Sequence, residues 1–191
     1  MIATDREYWK PGTMIYPLPA VIVSCGTFEE SNLVTVAWTG TICTDPAMCY
    51  ISLRPSRYSH EIIRRNMEFT INLTTERLAK AADWCGVKSG RDFDKWKEMN
   101  LTKGKGVNVQ CPYIVESPLN IECRVRQITS LGSHDMFIAD VLGVIADKSF
   151  IDKESGAFDL QRAALISYSH GHYYGQGAEI GRFGWSVRKK S

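Results

Sequence analysis

Apolar positions recur with a period of two in several short runs and with helical spacing in only a few, so the chain reads as mainly β. Ala20 to Cys25 is apolar and β-branched behind Pro17 and Pro19, which predicts a buried strand. Asn32 to Trp38 alternates, with Leu33, Thr35 and Ala37 on one face and Val34, Val36 and Trp38 on the other, a strand apolar on both sides. Met48 to Arg54 follows the Asp45-Pro46 turn signal, and Phe69 to Leu73 forms another short run. Ile121 to Ile128 alternates most clearly, placing Ile121, Cys123 and Val125 inward and Glu122, Arg124 and Arg126 outward. Met136 to Ile145 is its natural hairpin partner across a loop containing Gly132.

Helical spacing is rarer. Leu78, Ala81, Ala82 and Cys85 stand at i, i+3, i+4 and i+7, with Thr74 or Thr75 as N-cap and Gly86 as the residue after the C-cap. Ser59 to Asn66 predicts a second, shorter helix, and Phe93 to Met99 adds a turn or two. No repeat or Pro/Gly/Ser-rich linker divides the apolar blocks. The expectation is one domain over residues 1–191, a β-barrel with helical excursions and not a doubly wound sheet.

Composition narrows the function classes. A chain of 191 residues, 44% hydrophobic and 23% charged, can bury a core. Its 23 Lys+Arg against 21 Asp+Glu argue against attachment to nucleic acid or acidic lipid by net charge, and Arg188-Lys189-Lys190 reads as a solvated tail. The six cysteines include no C-x-x-C pair and suit reduced thiols. The start, Met1 to Glu7, has no apolar signal, and no run approaches the roughly 20 apolar residues of a membrane span. A cytoplasmic protein without nucleic-acid or membrane partners is the expectation.

Four stretches can carry chemistry. In Ser52-Leu53-Arg54-Pro55-Ser56-Arg57-Tyr58-Ser59-His60 a strand delivers two arginines and two serines into the start of a helix, where free N–H groups, guanidinium donors and hydroxyls suit a phosphate. The same pattern also fits a serine N-cap with solvated arginines. Asn32 to Thr41 ends in small and hydroxyl residues that can face a flat heteroaromatic ring, or be a barrel strand with a core tryptophan. Gly132-Ser133-His134-Asp135 and Ser169-His170-Gly171-His172-Tyr173-Tyr174-Gly175 place histidines in Gly-containing loops, as substrate contacts or as turn chemistry. His170 and His172 lack further ligands at metal spacing, and no P-loop, G-x-S-x-G elbow or G-x-G-x-x-G after a first strand is present. Cys85, before Gly86, is either a redox-sensing thiol or a buried helix-face residue.

These stretches, with Asn32 to Thr39, Ser52 to Ser59, Phe69 to Asn72, Asp83 to Asp92 followed by Asp94-Lys95, Gly132 to Phe137 and Gly171 to Tyr174, stand in an order that resembles the flavin reductase-like family of FMN-binding split barrels, especially its flavoredoxin-like branch. The resemblance implies a six-stranded, Greek-key split β-barrel with α additions that forms a homodimer and binds FMN. Thr35, Ala37, Trp38 and Thr39 would line the isoalloxazine; Ser52, Arg54, Ser56, Arg57, Tyr58 and Ser59 would hold the ribityl phosphate end; Asn72, Lys88 and Ser89 would complete the site. His134, with His172 and Tyr173, would stand where nicotinamide approaches. The implied activity passes electrons from NAD(P)H through FMN to free flavin, ferric iron or a partner protein. Its alternative is a flavoredoxin-like electron-transfer module reduced by a protein donor, without a nicotinamide site.

Overall fold

The computed structural model describes residues 5–187; the Arg188-Lys189-Lys190 tail and the first residues of the Met1 to Glu7 segment lie outside them. Seven longer strands form one sheet: β1 (Val21–Gly26), β2 (Ser31–Val36), β3 (Thr39–Thr44), β4 (Ala47–Leu53), β5 (Glu68–Asn72), β6 (Leu119–Ser130) and β7 (Asp135–Ala146). Their order is β2-β1-β5-β6-β7-β4-β3, and every neighbouring pair is antiparallel. The edges β2 and β3 are not paired to each other, so the barrel is split. A second small sheet holds Leu18–Pro19, β8 (Ile166–Ser169) and β9 (His172–Gly175).

The fold is the mainly β split barrel that the sequence predicts, with one strand more than expected in the main sheet and with the small sheets as further strands that the pattern does not mark. Thr39 to Thr41 is not the tail of the preceding strand. The chain bends at Ala37 and Trp38, and Thr39–Thr44 then pairs with β4 as a strand of its own. The bend is held by Ser52 N donating to Trp38 O at 2.9 Å and Thr39 N to Ala37 O at 3.1 Å.

The two apolar faces of β1 and β2 serve different cores. Val21, Val23, Val34 and Val36 pack inside the barrel with Ile51, Phe69, Cys123 and Phe137. Ile22 and Leu33, on the opposite face, pack under α2 (Ala79–Val87) and α3 (Lys95–Glu98) through Ala81, Ala82, Cys85 and Trp96. This is why β2 reads as apolar on both sides. The helix α1 (Tyr58–Asn66) buries Ile62 and Ile63 against the barrel.

Two sequence expectations are corrected. Glu122 does not face solvent: it is buried, and its carboxylate accepts from Val107 N at 2.6 Å, Asn108 N at 3.0 Å and Asn108 Nδ2 at 2.7 Å. The excursion between the two-residue strands Lys103–Gly104 and Tyr113–Ile114 brings those donors over that face, which strand alternation cannot foresee. Gly86 does not follow the end of α2 but lies within it, and the C-cap is Lys88. Gly86 lies close against Thr35, where an added β-carbon would stand 3.2 Å from Thr35 Cβ, so the glycine lets the helix approach β2. Thr75 caps the preceding 3-10 turn, accepting from Leu78 N at 3.3 Å.

Candidate cofactor site

The bend after β2, the end of β4 and the last turn of α2 enclose a cavity of about 460 Å³. Thr35, Ala37, Trp38, Ser52, Arg54 and Arg57 line it from the barrel side, and Asp83, Gly86 and Val87 from α2. The β6–β7 turn adds His134, and the β8–β9 hairpin adds Tyr168, Gly171 and Tyr173. A smaller annex of about 80 Å³ is lined by Asn32, Ser56, Tyr58, Ser59, Lys88, Ser89, Gly90 and Lys95. Arg57 and Val87 line both, so the two spaces meet there. A wider depression of about 570 Å³ continues past Gly90 and Arg91, where the carboxylates of Glu29, Glu30, Asp92 and Asp94 stand among the cationic side chains of Arg65, Arg91, Lys95 and Lys103.

The annex gathers groups of the kind that can meet an anion. It lies at the start of α1, whose N-cap Arg57 makes no side-chain capping hydrogen bond, so neither Ser56 nor Ser59 is the cap. Asn32 Nδ2 donates to Ser59 Oγ at 2.8 Å and fixes that hydroxyl. Lys95 is only 4% exposed, and its Nζ donates to Leu33 O at 2.7 Å and Cys85 O at 2.8 Å. Among the described residues no carboxylate partners this ammonium. Burial pulls the Lys95 ammonium below its ordinary range, and the nearby Arg57 charge adds to the effect. Two of three ammonium protons reach neutral carbonyls, and the annex that Lys95 lines has no carboxylate on its wall, whereas the wider depression that Lys95 also borders has four. The predicted helix at Phe93 to Met99 is thus the carrier of a site residue that motif reasoning left out, although Asp94-Lys95 stood in the sequence pattern.

The larger cavity is amphipathic. The Thr35 hydroxyl donates to Ala82 O and the Thr39 hydroxyl to Tyr50 O at 2.6 Å, so both are committed to the backbone. Thr35 still lines the cavity, whereas Thr39 is buried away from it. Arg57 Nη1 donates to Gly86 O at 2.8 Å and joins the start of α1 to the end of α2. Tyr173 donates its hydroxyl to Asp83 Oδ1 at 3.2 Å, closing the cavity on the hairpin side; burial first, then the Asp83 carboxylate, push the phenol up to about 12. Partial burial, and behind it the Arg54 guanidinium, lower the His134 imidazole below its usual range and favour the neutral ring.

The remaining predicted residues lie elsewhere. Asn72 sits in the core, where its amide donates to Ile22 O at 2.9 Å and its Oδ1 accepts from Ile114 N at 2.8 Å. His172 is exposed on β9 and lines neither space. His170 and Gly171, with φ of 49° and 84°, form the two-residue turn of the β8–β9 hairpin, so that motif is turn chemistry that happens to present Tyr173. Cys85 is fully buried against β2, and burial pushes its thiol up to about 11, the inert helix-face reading. Tyr168 carries no sequence signal, and Asp83, Gly86 and Gly171 stand in the patterned stretches without being singled out as site residues; only the tertiary fold brings the four to the cavity.

A sequence profile described as the flavin reductase like domain matches residues 13–175, most of the chain. The chain belongs to the flavin reductase-like family. An uncharacterized protein of Archaeoglobus fulgidus is 30% identical over 138 residues, covering 72% of this chain and 77% of that protein. An NADH-dependent FMN reductase of Streptomyces nodosus subsp. asukaensis is 26% identical over 137 residues, covering 71% and 72%. Among solved structures, flavoredoxin of Desulfovibrio vulgaris (Miyazaki F) superposes with a TM-score of 0.88 and 25% identity, covering 96% of this chain and all of that one. This family member is a split-barrel protein whose cavity and annex lie on the face between the barrel and α2.

Proposed function

We propose that the protein is an FMN-dependent oxidoreductase that passes electrons from NAD(P)H through bound FMN to free flavin, ferric iron or a partner protein. The observation that carries this reading is the buried Lys95 ammonium, without a carboxylate partner among the described residues, beside the uncapped start of α1. A buried charge is normally paired, and a phosphomonoester is the anion that a helix N-terminus, an oriented serine and a lysine together suit. The residues fit the group: Lys95, Ser59, Ser56, Lys88 and Ser89 would hold the phosphate, Arg57 would span the junction, and Thr35, Ala37 and Trp38 would lie along the flat ring. FMN supplies the hydride and electron transfer when bound. The protein's part is to hold the ring, exclude water beneath the Tyr173–Asp83 contact and leave the His134 side open to a nicotinamide.

Purified protein should carry the flavin absorbance bands or acquire them on titration with FMN, and anaerobic NADH or NADPH should bleach them. Absence of FMN binding would overturn the cofactor reading, and bound FMN that neither donor bleaches would remove NAD(P)H as the electron source.

A second reading, an electron-transfer module reduced by a protein donor, is favoured by the end-to-end likeness to flavoredoxin. Reduction of the bound FMN by a reduced iron–sulfur protein, and not by either nicotinamide, would select it. Under both readings a homodimer is the proposed assembly, supported by Tyr8, Ile15 and Ile180, each at least 85% exposed in the end segments, where a second copy would cover them. Light scattering at the mass of a monomer would exclude it.

A further inference from the structure

The side chains of His60 and Asp135 form a buried pair, Nε2 to Oδ2 at 2.8 Å, with the two side chains 7% and 9% exposed. The pair joins residues that belong to different ends of the candidate site. His60 follows Ser59 in the first turn of α1, where the annex begins. Asp135 is the first residue of β7 and follows His134, which lines the larger cavity. Among the described residues no other side-chain hydrogen bond links α1 to the β6–β7 hairpin.

The pair is held from several sides. The His60 ring stands edge-on to Phe137 with centroids 5.2 Å apart. Asp135 is in register with Ser130 on β6 and with Leu53 on β4, the residue before Arg54. The turn is closed by Leu131 N donating to His134 O at 2.8 Å, and the His134 ring meets Ser133 Oγ at 2.9 Å. The hairpin tip would ordinarily be the part of a sheet that opens first, because its backbone bonds face water and few apolar contacts hold it. A buried imidazole–carboxylate bond at the base of that tip removes this freedom.

We infer that His60 and Asp135 are positioning residues that clamp the His134 turn to α1 and so fix the His134 ring against Arg54 at a set distance from the phosphate cradle. This rests on the reading of His134 as the residue facing the electron donor; the clamp itself is tested without it. Neither residue of the pair lines the cavity, so its effect on a bound donor acts through His134. The same geometry gives the spacing between the phosphate end and the donor end a mechanical basis in the chain itself.

The test replaces His60 in the full-length protein and follows the His134 ring by NMR titration. His60→Leu removes the bond, and His60→Asn, whose amide stops short of Asp135, is the second variant should the first fail to fold. His60→Gln, which can still donate from near the Nε2 position, is the conservative rescue. In His60→Leu or His60→Asn, His134 should titrate closer to the ordinary imidazole value of about 6.5, because the loosened turn is better solvated and further from Arg54. His60→Gln should restore the native titration. In the FMN-loaded protein, KM for the nicotinamide donor should rise on the order of tenfold to a hundredfold while FMN affinity stays at the native value. A folded variant with a lower melting temperature and an unmoved His134 titration would show a purely structural pair and overturn the inference. Failure of both NADH and NADPH to reduce the native holoprotein would overturn the donor reading instead, leaving the NMR result to decide the clamp.

Discussion

The side-chain amide of Asn32 stands in the space that a β-carbon on Gly90 would need, and from there it donates to Ser59 Oγ at 2.8 Å. Strand β2, the segment after α2 and the first turn of α1 therefore meet at one amide. Gly90 is needed for close approach, and the hydroxyl orientation in the annex depends on it.

Gly90→Ala is therefore expected to displace Asn32, release Ser59 and weaken FMN binding by about fivefold, the worth of one hydrogen bond of about 1 kcal/mol. Quenching of flavin fluorescence measures it. Native affinity in a folded Gly90→Ala protein would mean that Ser59 needs no orientation by Asn32.

Lys95→Met removes the buried charge while keeping an unbranched side chain in the same space. Losing a hydrogen bond to a charged group costs about 1.5–3 kcal/mol, so FMN affinity should fall roughly 10- to 100-fold. Added FMN raises the melting temperature in proportion to its binding, and that increment should shrink in the variant. An increment equal to the native one would place the phosphate away from Lys95.

Arg57→Ala should weaken FMN binding by about 1.5–3 kcal/mol, since the guanidinium lines both spaces and also joins α1 to α2 through Gly86 O. Arg126→Ala is the matched control: Arg126 pairs with Asp140 at 2.9 Å on an exposed stretch and lines neither space. Isothermal titration of both variants separates a local effect from a general loss of positive charge. Equal losses in the two would refute a specific role for Arg57.

Acid should expose the contribution of Asp135. Hydrogen bonds from the Ser130 side chain and from His60 hold its carboxyl below the usual carboxylate range. The folded state thus binds this proton more weakly than the unfolded state, whose Asp titrates near about 3.9. The stability so gained is present above about pH 4 and is lost as pH falls through the lower, folded value. Native protein should exceed Asp135→Asn in urea midpoint at neutral pH, and the gap should close on acidification. A gap independent of pH would mean that ionisation of Asp135 does not contribute.

Much of the fold was legible along the chain. The alternation in Ile121 to Ile128 marks β6 because a strand places every second side chain on the same face, the run Asn32 to Trp38, apolar on both faces, marks β2, and Met48 to Arg54 after the Asp45-Pro46 turn signal marks β4. The 78, 81, 82 and 85 spacing marks α2 for the analogous reason at helical period. Strand β3 escaped because the bend at Ala37 and Trp38 is held by backbone hydrogen bonds, which leave no mark on side-chain pattern. Glu122 escaped because its donors, Val107 and Asn108, come from an excursion whose docking is set by contacts far away in sequence.

The site divides in the same way. By itself the sequence determined the local chemistry of Ser52 to Ser59, two arginines and two serines entering a helix, because neighbours in sequence are neighbours at a helix start. Only the tertiary structure decided which hydroxyls are free for a ligand: Thr35 and Thr39 donate to Ala82 O and Tyr50 O, while Ser59 is oriented by Asn32. It also decided that Lys95 is buried and bonded to two backbone carbonyls, that Asn72 belongs to the core and that His172 stands apart. Burial and pairing are properties of what surrounds a side chain in space, and here the surroundings of Lys95 come from β2 and α2, segments that touch only once the chain has folded.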